Sequence, residues 1–174
     1  KNRGAYNKIS NLSEEQRSSG IIAASAGNHA QGVALACKRL NINCNIVMPV
    51  TAPENKLNSV KRLGAKITLH GENLAKALVK ADEISKKHNY TFVHPFDDPY
   101  TIAGQGTIGK EILEDGIKYD AIFVPVGGGG LLAGISAWVR QNDKSIKIIG
   151  VEVNDSACLT EALKLNKRVL LKKV

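Results

Sequence analysis

Ala121-Ile122-Phe123-Val124-Pro125-Val126-Gly127-Gly128-Gly129-Gly130-Leu131 is an apolar run that stops on four consecutive glycines. An apolar run without alternation predicts a strand buried on both faces, as in parallel sheets. Residues 131–139 then carry helical spacing, so the glycines join a strand to a helix N-terminus. Four glycines let the chain turn with positive φ and aim successive N–H groups into one concavity. The helix start adds its partial positive charge. The result is a cradle for an anionic group, built from backbone alone.

The same strand–turn–helix alternation extends in both directions. Strands are predicted at 21–25, 44–49, 65–70, 90–94 and 146–153, besides 121–126. Helices are predicted at 29–40, 53–63, 72–87, 100–113 and 157–165, with Pro53 in the first turn of its helix and Gly64 as a stop. Such alternation predicts an α/β fold, with open parallel sheets and helices on both faces. Ligands of these sheets bind beyond the C-terminal strand ends. Three turns qualify, at 25–28, 127–130 and 152–155. Pro95-Phe96-Asp97-Asp98-Pro99 is the most linker-like stretch and predicts a boundary between a lobe at 1–95 and another at 96–174.

Composition narrows the function classes. With 43% hydrophobic and 23% charged residues in 174, disorder is excluded. The apolar runs are far shorter than the ~20 residues of a membrane span. The net charge of +8 comes from Lys+Arg 24 against Asp+Glu 16, but the cations are scattered, apart from a denser run at 164–173. Aromatics, at 5%, are too few to interleave as stacking platforms, so no nucleic-acid partner is expected. An anionic small ligand makes better use of the excess. Cys37, Cys44 and Cys158 show no paired spacing, which predicts a reducing, cytoplasmic compartment. His29, His70, His88 and His94 show no zinc-ligand spacing, and no metal is expected.

Ser25-Ala26-Gly27-Asn28-His29 also joins a strand to a helix, so its amides can hold a carboxylate or a phosphate. Asn28 adds a side-chain amide that both donates and accepts. A plain N-cap by Ser25 or Asn28 explains the segment equally well, and His29 reads as a packing residue. Lys1-Asn2-Arg3-Gly4-Ala5-Tyr6 carries no local signal. Gly128, Gly130 and Ala133 fit a G-x-G-x-x-A turn, and Glu152 lies where a ribose-binding acid is expected. A nicotinamide-dinucleotide-binding oxidoreductase domain and a non-catalytic phosphate-ligand module therefore stand as alternatives.

Three segments together carry a resemblance. Lys1-x-Arg3-Gly4-Ala5 resembles the end of the Ser-Phe-Lys-x-Arg-Gly-Ala motif of the fold-type II pyridoxal-phosphate enzymes. Residues 25–32 resemble their asparagine loop and residues 127–131 their phosphate loop. Residues 94–109 and 151–159 are similar to the biosynthetic threonine-dehydratase branch. The resemblance implies parts of two lobes and pyridoxal 5'-phosphate as cofactor. It implies that Lys1 carries the cofactor and acts as base, and that Asn28 bonds the ring's phenolic oxygen. Gly127, Gly128, Gly129, Gly130 and Leu131 would bind the phosphate, and Ser25, Ala26, Gly27, Asn28 and His29 the substrate carboxylate.

The implied activity is α,β-elimination of L-threonine to 2-oxobutanoate and ammonia, within isoleucine biosynthesis, with serine as secondary substrate. Racemase-like relatives carry a serine base at the position of Ala26, so elimination is expected over racemisation. Those relatives also bind a divalent cation through an acid matching Glu152 and another at the position of Cys158, so no such cation is expected. The resemblance further implies a cytoplasmic homo-oligomer, dimer or tetramer, without membrane partners. It makes this chain a central segment: part of the large lobe precedes Lys1, and the rest, with an isoleucine-sensing regulatory domain, follows Val174.

Overall fold

A computed structural model describes residues 1–169, and the chain divides into two compact units, Lys1–Gly104 and Gln105–Val174. The lobe boundary expected after residue 95 thus sits nine residues before this division, which follows Gly104. Lys172 and Lys173 of the basic run lie outside the described residues.

The first unit opens with α1 (Asn2–Ser10) and α2 (Glu14–Ser19). It continues as β1 (Ile21–Ala24), α3 (Asn28–Leu40), β2 (Cys44–Met48), α4 (Glu54–Arg62), β3 (Lys66–Leu69), α5 (Leu74–His88) and β4 (Thr91–Phe92). The strands form one parallel sheet in the order β3-β2-β1-β4. Its apolar runs are unbroken because side chains alternate between two covered faces. Ile21, Ala23, Ile46 and Met48 pack against α1, α3 and α4 through Ala5, Ile9, Val33, Cys37 and Val60. Ile22, Ala24 and Val47 pack against Ala77 and Ala81 of α5. Pro53 is the N-cap of α4 rather than its first helical residue, and Gly64 follows the helix with φ +85°.

Chain order places a switch point in this sheet. From β1 the chain moves outward to β2 and β3, then returns to β4 on the other side of β1. Segments leaving the C-terminal ends of β1 and β4, neighbours in the sheet, therefore lie side by side at the end where such sheets bind ligands. Residues 25–28 leave β1 there, and residues 93–98 leave β4.

The linker-like stretch is a capped helix start. Asp98 accepts the Thr101 N–H at 2.9 Å on its side chain and the Ile102 N–H at 2.9 Å on its carbonyl, and α6 (Pro99–Glu114) begins on proline. Proline fits this first position because its missing N–H is one the helix cannot use. Lys8 of α1 pairs with Asp98 at 2.7 Å. Burial alone would raise the Asp98 carboxyl, but Lys8 and the amides of Thr101 and Tyr100 hold it below the usual carboxylate range.

The second unit contains β5 (Ala121–Pro125), α7 (Gly130–Asn142), β6 (Lys147–Val151), a 3-10 turn (Asn154–Ser156) and α8 (Cys158–Leu165). β5 and β6 pair in parallel. One face of this pair carries Val124 and Ile146, which pack with Ile135 and Val139 of α7. The other face differs from the expectation for residues 121–126: Phe123 is 67% exposed and Val151 49% exposed. An apolar run states a preference for burial, and in this unit helices meet one face of the pair.

Candidate active site

Lys1 is the N-cap of α1, and its carbonyl accepts the Ala5 N–H at 3.1 Å. The stretch without local signal is therefore a helix start, with Gly4, Ala5 and Ile9 buried beneath it. The Lys1 Nζ donates to the Pro95 carbonyl at 2.7 Å, beyond the C-terminal end of β4. The Phe96 ring centroid lies 6.0 Å from the same nitrogen. Among the described residues no carboxylate pairs with it, and burial lowers its pKa below that of an ordinary lysine. Desolvation penalises the ammonium and leaves the neutral amine, the nucleophilic and basic form, easier to reach.

Residues 25–28 form the turn from β1 into α3. The Ser25 N–H extends the ladder to Val47 at 3.1 Å, and its hydroxyl accepts the Gly27 N–H at 3.2 Å. Gly27 is the N-cap of α3, so Ser25 stabilises the turn and Asn28 is the first helical residue. The first N–H groups of α3 have no partner within the helix and lie beyond the C-terminal end of β1. Asn28 is exposed, and its Oδ1 accepts from the Lys56 Nζ at 3.2 Å.

His29 is buried beneath this turn, and its Nε2 donates to the Val93 carbonyl at 2.9 Å. That bond places the ring proton on Nε2 of the neutral imidazole and leaves the buried Nδ1 without a partner among the described residues. Burial, reinforced by the Lys1 and His94 charges, lowers the His29 pKa to about 4 even though Val93 opposes the shift. The first unit therefore brings Lys1, the 25–29 turn and the Val93–Pro95 carbonyls to one end of its sheet.

The glycine loop lies in the second unit. Val126 continues the ladder, donating its N–H to the Val151 carbonyl at 2.8 Å, and Gly129 adopts φ +84° as the N-cap of α7. A side chain at Gly129 would be strained by that backbone. The position of a Cβ on Gly127 or Gly129 meets no atom within 4 Å. Of the four glycines Gly129 alone has a positive φ, so the turn is made at one residue, and the space beside Gly127 and Gly129 at the start of α7 is open. This geometry fits a phosphate group.

Glu152 departs from the role of a ribose-binding acid. Its carboxylate accepts from Leu159 N at 2.9 Å, Thr160 N at 2.7 Å and Thr160 Oγ1 at 2.7 Å. It closes the start of α8. Burial pushes its carboxyl up, but these donors and the Cys158 thiol outweigh that and hold it low. The Cys158 Sγ lies 3.8 Å from both the Glu152 carboxylate and the Gly127 carbonyl. Sequence reasoning missed this clamp, the Lys1–Pro95 contact and Lys56, because each depends on packing between distant segments.

Comparison with known proteins follows the same lines. Residues 1–174 match the family described as pyridoxal-phosphate dependent enzyme. A biosynthetic L-threonine dehydratase of Pasteurella multocida is 52% identical over 172 residues, covering 99% of this chain and 34% of that protein. A mitochondrial threonine dehydratase of Schizosaccharomyces pombe is 51% identical over 174 residues, covering 99% of this chain and 29% of that protein. The processed form of threonine deaminase isoform 2 from Solanum lycopersicum superposes with a TM-score of 0.96 at 48% identity, covering 99% of this chain and 50% of that one. The chain thus spans about a third of the length of these sequence relatives. It belongs to the pyridoxal-phosphate dependent enzyme family.

Proposed function

We propose that this chain carries the central part of a lyase that converts L-threonine to 2-oxobutanoate and ammonia, with L-serine as a secondary substrate. The single observation that carries this reading is the Lys1 amine. It is held by the Pro95 carbonyl beyond the C-terminal end of β4, and its pKa is lowered by burial. The names of the relatives support the choice of threonine.

Each residue has a defined task. The backbone N–H groups of Gly127, Gly128, Gly129, Gly130 and Leu131 would bind the cofactor's phosphate, and Lys1 would hold the cofactor through its amine. Asn28 would donate its side-chain amide to the phenolic oxygen. When bound, the pyridoxal group supplies an electron sink for the pair left at the substrate α-carbon. The turn formed by Ser25, Ala26, Gly27, Asn28 and His29 receives the substrate carboxylate through its backbone amides, while the buried His29 imidazole braces it from below. Lys1 takes the α-proton, a task suited to an amine whose pKa is lowered toward the working pH. Ala26 has no group that could return a proton on the opposite face, which directs the chemistry to elimination. Glu152 spends its oxygens on α8, so no cation is assigned to it.

We place the protein in isoleucine biosynthesis, as a cytoplasmic homo-oligomer. Among the described residues, no helix is long and apolar enough to cross a membrane. The test is an absorbance scan of the purified holoprotein, followed by borohydride treatment and peptide mapping. A near-visible band that borohydride bleaches, a pyridoxyl label on Lys1, and 2-oxobutanoate release abolished by Lys1→Ala are expected. A colourless protein that ignores the cofactor but binds a nicotinamide dinucleotide would overturn the reading.

A further inference from the structure

Lys56 sits in the first turn of α4, where its backbone N–H bonds the Pro53 carbonyl at 2.9 Å. A cation is disfavoured at this end of a helix, because the unpaired N–H groups already carry partial positive charge. Among the described residues, Lys56 has no carboxylate partner. Its one side-chain hydrogen bond crosses from α4 to α3 and ends on Asn28 Oδ1 at 3.2 Å.

The chemistry of that contact fixes an orientation. An ammonium only donates, so the Asn28 atom facing it must be the carbonyl oxygen. The amide's other end, Nδ2, then points away from Lys56, and among the described residues it donates to nothing. An asparagine left to itself can present either end, and half of those orientations would offer an acceptor where the cofactor's phenolic oxygen needs a donor.

We propose that Lys56 is a positioning residue, which locks Asn28 with its Nδ2–H2 donor facing the cofactor ring. This inference rests on the role given to Asn28 above. A hydrogen bond from Asn28 stabilises the deprotonated phenolic oxygen, so the lock lowers the pH at which the bound chromophore ionises. Through Asn28, Lys56 thus tunes the cofactor without touching it.

The experiment is a pH titration of the cofactor's visible absorbance in holoprotein, with variants compared by circular dichroism to confirm folding. Asn28→Ala is expected to raise the midpoint. Lys56→Met is expected to raise it in the same direction by a smaller amount, and Lys56→Arg, which keeps a donor, to stay near wild type. Lys56→Gln, which can donate without charge, is expected to fall between them. In an Asn28→Ala background, Lys56→Met is expected to add nothing. Equal shifts in both backgrounds would mean that the lysine acts by charge alone, and the proposal fails. A midpoint moved by Asn28→Ala but unmoved by Lys56→Met also overturns it, while leaving the role of Asn28 intact. A midpoint that Asn28→Ala leaves in place removes the role of Asn28, and the positioning role with it.

Discussion

A Cβ built on Gly104 would lie 2.6 Å from the Cα of Gly4 and 2.7 Å from the Arg3 carbonyl oxygen. Two backbones therefore meet, with no flexible side chain between them, directly after the candidate catalytic lysine. Overpacking at such a point typically costs 1–3 kcal/mol, about that much here, because the backbone itself must move. Gly104→Ala is accordingly expected to lower stability by about 1–3 kcal/mol in urea unfolding. It should also shift the first turn of α1, reducing pyridoxyl labelling of Lys1 under conditions where the protein is still folded. Unchanged stability and labelling would show that α1 can give way without cost.

Lys1 carries a prediction about pH. Burial lowers its pKa, so its amine becomes neutral at lower pH than a solvent-exposed lysine does. Cofactor capture should follow that neutral fraction. The rate of capture by Lys1 is expected to rise with pH and to level off below the range of an ordinary lysine. Stopped-flow absorbance against a lysine-containing reference peptide gives the comparison. Coincident profiles would mean that the Pro95 contact leaves the ammonium effectively in water.

Glu152 offers a local test in the second unit. Its carboxylate satisfies the Leu159 and Thr160 amides at the start of α8. Charge strengthens hydrogen bonds of this kind. Glu152→Gln keeps the size but removes the charge and one acceptor, so both amides should exchange their hydrogens several-fold faster. Amides of the first unit, such as those of α3, should be unaffected. The carboxylate is held below its usual range, so its support is present at neutral pH and disappears as pH falls through the lowered value. Exchange measured at low pH should therefore converge for wild type and variant.

Most elements from residue 21 to residue 165 were legible because parallel strands covered on both sides leave unbroken apolar runs between helical periods. Observed bounds differ from the expected ones chiefly where ladders end or helices fray. The two N-terminal helices were not legible, for different reasons. α1 buries only Gly4, Ala5 and Ile9, too few for a visible stripe, and α2 buries nothing. The one usable signal was Ser13 with Gln16, which form a capping box at the start of α2. Phe123 misled in the opposite direction, since hydrophobicity cannot state which faces are covered. The glycine loop and the 25–28 turn were readable as backbone features, because glycine identity constrains backbone directly. Lys56, Pro95 and Glu152 act through contacts that only packing creates, so no spacing announces them.

His29 supplies a pH dependence with a definite sign. The imidazole is buried and neutral, with its pKa lowered to about 4, first by desolvation and then by the charges of Lys1 and His94. In the unfolded chain it returns to about 6.5. As pH falls through that range the unfolded state takes up a proton that the folded state refuses, which favours unfolding. Stability from this group is therefore full above about pH 6.5, declines as pH falls, and stops changing below about pH 4, for a total of about 3 kcal/mol. His29→Gln removes the titration while keeping a donor for the Val93 carbonyl. Urea unfolding of both proteins at about pH 7 and about pH 4.5 should show wild type losing more stability than the variant, with the carboxylates contributing equally to both. Parallel losses would mean that the His29 ring is protonated within the fold. The partnerless Nδ1 would then have to find an acceptor there.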